Sequence, residues 1–223
     1  MTFRHRERGV ALIVTLFILV IVTFMGLIAM RAGLLQVAMA TNSQVSVVLF
    51  QNADAGTGSV ETVINSDMTF ANGPTGPITL IKDNPGMAVV GCFNKAGLQL
   101  ATDVGAPRSC DLTDTDEFVS GREVTAVQVA VMSPVDASGK AQVVLNYGTD
   151  DSILPGGGGA LVAVYSTAVM PNYGSATKAE ITDCLAKPQE GAAGTTATEC
   201  LTSKNASFET VVQEFVYGYG GYK

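Results

Sequence analysis

Four cysteines, one acidic run and one glycine run are the residues whose types and spacing could carry chemistry. Cys92, Cys110, Cys184 and Cys200 contain no C-x-x-C pair, so a zinc site would have to be assembled from distant ligands. The alternative is disulfide bonding. Four cysteines allow three pairings, and proximity in sequence favours Cys92 with Cys110 and Cys184 with Cys200. The carboxylates Asp111, Asp114, Asp116 and Glu117 stand beside Cys110 and form a weak calcium candidate, because calcium takes six to eight oxygens. They lack the spacing and the glycine of an EF-hand loop, and a solvated acidic loop is the competing reading. Asp150 and Asp151 form a second short pair. Gly156 to Gly159 are not followed by Lys-Ser/Thr and precede a strand-like run, so they read as a flexible loop rather than a phosphate cradle. The single histidine, His5, lies within the first nine residues. A Ser-His-Asp or Cys-His site is excluded without it, and no carboxylate pair or lysine is singled out by its context. No enzyme and no cofactor is expected. Asn205-Ala206-Ser207 fits a glycosylation acceptor by form alone.

Whether the cysteines are oxidised depends on where the chain places them, and that is decided near the N-terminus. From Gly9 to Met30 the chain is uncharged and apolar. About twenty such residues, at 1.5 Å rise each, cross the roughly 30 Å of bilayer hydrocarbon as a helix. Arg4, Arg6 and Arg8 precede the run and Arg31 comes after it, so the positive-inside rule keeps the N-terminus cytoplasmic and sends the remainder outward. All four cysteines then face an oxidising compartment. A cleaved secretory signal is an alternative, since Ala38-Met39-Ala40 has the small-x-small form, but its apolar run would be shorter and free of an intervening charge. A plain single-pass anchor is another.

The junction Arg8-Gly9-Val10, a short charged leader ending in glycine before the apolar run, resembles a prepilin leader. The next residues narrow the resemblance. Arg8-Gly9-Val10-Ala11-Leu12-Ile13-Val14, then Thr23 to Arg31, then Leu35-Gln36 and Phe50-Gln51-Asn52-Ala53-Asp54-Ala55 are similar to the N-terminal segment of PilX-type minor pilins. The likeness covers about the first quarter of the chain. It departs at Asp54, where the family has glutamate, and at Gly56 and Gly58, which replace helix-favouring residues. The resemblance implies a leader over residues 1–9, cleavage after Gly9 by prepilin peptidase with methylation of Val10, and a helix over 10–66 that spans the membrane over 10–30. It further implies a periplasmic head over 67–223 and the α+β type IV pilin fold, a long N-terminal helix packed on an antiparallel sheet. Implied partners are other minor pilins and the major pilin, with residence in the bacterial inner membrane before assembly and in the extracellular pilus afterwards. Val14 is the fifth residue of the mature helix, where most pilins carry a glutamate that meets the N-terminus of the subunit before it. Its absence, shared by the tip pseudopilin of type II secretion, implies a place at the pilus tip.

The head must be built from the residues beyond this segment. About 160 residues suffice for one domain with its own core. The net charge of −7 becomes −9 when residues 1–9, with three arginines and one glutamate, are removed. A surface this acidic argues against direct nucleic-acid binding, which displaces phosphate counterions with cations. Leu34, Val37, Ala38, Thr41, Val45, Val48 and Leu49 recur at helical steps, so an amphipathic helix continues the anchor, with a kink or a surface loop expected at Gly56 and Gly58. Asn72 to Pro77 breaks it. Residues 78–81, 87–93, 118–132, 142–147, 160–170 and 208–217 read as strands, with a hairpin loop at 136–139 and an antiparallel meander as the economical topology. One face of the sheet is expected to be partly wet and the other to be covered by the distal half of the long helix. The tyrosines of the glycine-rich tail after Tyr217 are expected to belong to a frayed terminus, stacking on a neighbouring molecule being the alternative.

The reading is a minor pilin that primes pilus assembly and supports adhesion, twitching motility or DNA uptake. A type II secretion pseudopilin shares its architecture. A single-pass periplasmic binding or sensing module differs from both, because its leader would not be cut at Gly9.

Overall fold

The computed structural model describes residues 7–66, 72–104, 110–135, 139–140, 142–144, 159–191 and 194–218. Helix α1 runs from Glu7 to Ser66 without interruption. The chain divides into two compact units, Met1–Val45 and Ser46–Lys223.

In the first unit α1 shows apolar side chains all around its circumference, Leu12, Phe17, Phe24, Met30 and Leu34 among them. An 18-residue window has a mean hydropathy of 3.0 and none of it is buried, so this helix is long and apolar enough to cross a membrane. Its threonines do not spoil that surface. Thr15 and Thr23 donate their hydroxyls to the carbonyls of Leu12 (2.9 Å) and Val20 (2.7 Å), so neither donor is left for hydrocarbon to accommodate.

The second unit holds the end of α1, five longer strands and a short one. Helix α2 spans Pro77–Asp83, followed by β1 Ala88–Asn94, β2 Gly97–Leu100, β3 Ala126–Met132, β4 Val143–Val144 and β5 Gly159–Gly174. Helices α3, Lys178–Leu185, and α4, Ala197–Ser203, precede β6, Ala206–Gly218. Every pairing is antiparallel, and the main order is β2-β1-β3-β5-β6. Because β6 takes one side of β5 along its whole paired length, β4 lies on the other side, continuing the line of β3.

The fold class is the expected one, a long apolar helix followed by an antiparallel sheet. Several elements differ from expectation. Residues 78–81 are helical: Pro77, with fixed φ and no N–H to satisfy, opens a turn whose Ile78 and Ile81 are buried on one side. A run as short as Ile-Thr-Leu-Ile does not distinguish a strand from one helical turn. The strand expected from Phe118 begins only at Ala126, since Phe118 makes an isolated bridge back to Ala126 across a turn where Glu123 has φ of 52°. A simple meander is also overturned. The hairpin partner β2 occupies the outer edge, and β1 turns its other side to β3. The hairpin loop at 136–139 lies mostly outside the described residues, as do 145–147 of the expected fourth strand and the tail after Gly218.

Gly56 does not interrupt α1. Leu49, Ala53, Gly56, Val60 and Ile64 form one buried stripe at helical spacing, and this stripe crosses the sheet. A Cβ on Gly56 would collide with Ser166 Oγ of β5 and approach Val127 Cγ1 of β3 to 2.9 Å, so glycine sets how closely helix and sheet meet. Gly58 has nothing within 4 Å of that position.

The opposite face of the sheet is not wet at its centre. All seven residues of β3 are buried, on both sides of the strand. By register Val127, Val129 and Val131 share the α1 face with Ala168, Ser166 and Val164. Ala126, Gln128 and Ala130 face the other way, and there α3, α4 and the segment containing Cys110, Leu112 and Phe118 close a second apolar layer. The sheet is therefore the middle of three layers. The expectation of a single cover failed because a 3.6-residue pattern is hard to see in helices of eight and seven residues.

The two glycines of α1 make opposite predictions. Gly56→Val should destabilise the head by about 1–3 kcal/mol through overpacking. Gly58→Ala should stabilise it by up to about 1 kcal/mol, the helix-propensity difference. Denaturant unfolding of the full chain in detergent micelles measures both; equal effects would show that Gly56 is not the point of closest approach.

Candidate functional site

Gly9 and Val10 lie in the first turns of α1. Val14 comes one turn later and is 50% exposed on a surface that carries no charge until Arg31. In hydrocarbon a carboxylate at this position would cost a few kcal/mol unless it were paired, whereas valine carries no such penalty. The described N-terminal residues therefore form a helix start and an apolar shaft.

In the head the cysteines are joined as Cys92–Cys110 and Cys184–Cys200, each with a Cα–Cα distance of 5.3 Å. Both bridges lie in the same apolar cluster, on the sheet face away from α1. The first ties β1 to the segment before the acidic loop and the second joins α3 to α4. Between them sits Gln128 of β3, 1% exposed. Its Oε1 accepts from the Cys110 N–H (3.2 Å) and its Nε2 donates to the Leu185 carbonyl (2.7 Å), so one amide satisfies a backbone group beside each bridge. A buried glutamine with both ends used is the residue that sequence reasoning passed over. The signal was its place among valines and alanines in a run otherwise apolar.

Two helix starts were also missed, and these were legible. Thr177-x-x-Glu180 and Thr196-x-x-Glu199 are both capping boxes, in which the threonine hydroxyl accepts from the glutamate N–H and the carboxylate accepts from the threonine N–H. Glu180 also accepts from Lys204 Nζ at 3.0 Å, linking the start of α3 to the end of α4. The Thr177 N–H above all, then Lys204, hold the Glu180 carboxyl down at about 2, below its ordinary 4.5. A carboxyl depressed on folding stabilises above its ordinary value and loses that contribution as pH falls through about 2, so this joint stays intact in moderately acidic surroundings. Glu199 is lowered likewise, first by the Gly194 N–H.

The acidic loop is turned to local structure. Asp111 Oδ1 accepts from the N–H and hydroxyl of Thr113 (2.9 and 2.7 Å), which lowers its pKa, and Asp114 Oδ1 caps the turn at Asp116 N (2.9 Å). Asp116 stands 4.0 Å from Lys95. Glu117 approaches the Cys92–Cys110 bridge, with the ligand atoms of all three within 4.8 Å, but sulfurs joined to each other offer no thiolate to a metal. Asp150, Asp151 and Gly156 to Gly158 lie outside the described residues. Asn205 takes up a turn with φ of 53° at the entry to β6.

A membrane-length helix leading into an antiparallel α+β head is consistent with the pilin class of fold. The N-terminal segment is similar to the PilX type: residues 8–57 match the family model described as PilX N-terminal. The match ends one residue beyond Gly56, so it covers the span, the exposed stretch after it and the start of the stripe on the sheet. Neither a curated protein nor a solved structure matches the chain.

The bridges close separations of 18 and 16 residues, worth about 3 kcal/mol each in the chain-entropy account. Replacing either pair by alanines should cost about 2–5 kcal/mol of head stability in denaturant unfolding. A loss below about 1 kcal/mol for both pairs would place the stability of this face in the capping boxes and Gln128 instead.

Proposed function

We propose that the protein is a minor pilin of a type IV pilus, processed after Gly9, methylated on Val10, held in the inner membrane by α1 and then drawn into the filament. The observation that carries this reading is the PilX-type segment, residues 8–57, coinciding with an unbroken helix that leaves an apolar shaft and enters the head. Its partners on this reading are prepilin peptidase, other minor pilins and the major pilin. Its role is to prime assembly, through which it supports adhesion, twitching motility or DNA uptake. The subunit stands at or near the tip. A subunit that begins the filament has no predecessor whose N-terminal ammonium could pair with a carboxylate at the fifth position, and Val14 leaves nothing there unpaired.

Processing gives the first test. A peptidase acting at Gly9 must approach the backbone closely, so Gly9→Leu should leave full-length chain in the membrane, while wild type should begin with an N-methylated Val10. Sequencing of the mature N-terminus decides. A wild-type chain beginning at Met1 would return the protein to the single-pass sensing class, and one beginning at Thr41 to the cleaved secretory class.

Location gives the second. Immunogold labelling of sheared pili should mark the end opposite the membrane and little else. Regular label along the shaft would remove the tip assignment, and absence from pili in cells that secrete normally only when the gene is intact would favour a secretion pseudopilin.

A further inference from the structure

Strand β6 forms one edge of the sheet, thirteen residues from Ala206 to Gly218. Among the described residues it pairs with β5 alone, so the outward N–H and C=O groups of every second residue have no strand to meet. The strand is rich in β-formers, with Phe208, Thr210, Val211, Val212, Phe215, Val216 and Tyr217, and it contains neither proline nor lysine. Its register with β5 shifts only near its beginning, between Val169 and Gly174. Edges of this length are ordinarily blunted by such residues or by a bulge, because an open edge is a template for another strand. Val212 is 50% exposed beside it.

The charge along this edge has one sign. Glu209 and Glu214 lie opposite Ala168 and Ala163 of β5, and no cation is paired with either among the described residues. On the face away from α1, Glu190 accepts a hydrogen bond from the Tyr165 hydroxyl, and Tyr165 stands opposite Val212, diagonal to Glu214. Burial, then Glu190 and Glu214, all push the Tyr165 phenol upward, in keeping with carboxylates gathered about one ring without a counter-charge. Lys95 and Lys204 are paired elsewhere, with Asp116 and Glu180.

We infer that the free edge of β6 is a docking site for an extended segment of a partner polypeptide, one that adds as a strand and carries lysine or arginine to meet Glu209, Glu214 and Glu190. Backbone pairing gives the segment affinity, and the cations choose it among apolar strands. A second copy of this chain does not fit. Its own β6 would bring two more glutamates and neither lysine nor arginine, so it adds like charge where this edge asks for cations. The inference concerns the head alone and stands whether or not the subunit occupies a tip.

The probe is a labelled ten-residue peptide alternating threonine and valine, with two lysines five positions apart. It is compared with one bearing glutamates in their place and with one N-methylated at two adjacent residues, which removes donors from both edges. Titrated against the full chain in detergent micelles, the basic peptide should bind, the acidic one should bind at least tenfold more weakly, and the N-methylated one should not bind. Glu209→Lys with Glu214→Lys should reverse the order of the basic and acidic peptides. Glu190→Gln, which keeps an acceptor for Tyr165, should weaken the basic peptide while leaving the head's circular dichroism unchanged. Retention of binding by the N-methylated peptide would reduce the site to diffuse charge attraction and overturn strand addition. Equal binding of basic and acidic peptides, no binding at all, or self-association of the chain through β6 would each overturn the inference as well.

Discussion

The crossing of α1 over the sheet at Gly56 is the contact on which the head depends. Helix–sheet packing buries Leu49, Ala53, Val60 and Ile64 only if the helix axis comes close enough for their side chains to reach β3 and β5. A side chain at position 56 would hold it away, since Val127 and Ser166 already occupy the space. A glycine costs about 1 kcal/mol of helix propensity. Apolar burial along the stripe, at about 25 cal/mol per Å², offsets a loss of that size readily. Ser166 is the conspicuous exception at this crossing: its Oγ is buried beside Gly56 with no hydrogen-bond partner among the described residues, a local penalty within an otherwise apolar contact.

Once that face is closed, the other obeys a different rule. The α1 side is closed by one long element with a continuous stripe, whereas the far side is assembled from three short pieces that cannot hold themselves. Helices of eight and seven residues are too short to be stable alone in water, so each relies on external support. Capping boxes satisfy their first N–H groups, Cys184–Cys200 joins them, Lys204 bridges to Glu180, and Gln128 anchors the end of α3 to the sheet. Covalent and polar restraints do there what a long apolar stripe does on the α1 side.

Chemistry-bearing residues share the same division of labour. The cysteines, the acidic loop and the paired lysines all serve local geometry: bridges, an Asx-type turn at Asp111, a cap at Asp114 and a helix joint at Glu180. Among the described residues, β6 offers a long strand edge with carboxylates near it. An edge strand open along its length, on a chain of net charge −7, is a surface addressed to another polypeptide rather than to a small molecule.

Properties that accumulate along the chain were legible without a structure. The apolar run from Gly9, the arginine asymmetry and the β-rich runs at 87–93, 160–170 and 208–217 depend on composition and on neighbours a few residues apart. Sums of that kind survive any arrangement in space. The capping boxes at Thr177 and Thr196 belonged to the same class and were overlooked, because the helices they open are too short to display a period. Tertiary structure alone decided the rest. The role of Gly56 depends on Val127 and Ser166, far along the chain. Gln128 gains its meaning from Cys110 and Leu185, and Pro77–Asp83 is a helix because Ile78 and Ile81 find their core on one side. Each of these is set by which distant surface arrives, and a one-dimensional pattern carries no term for that.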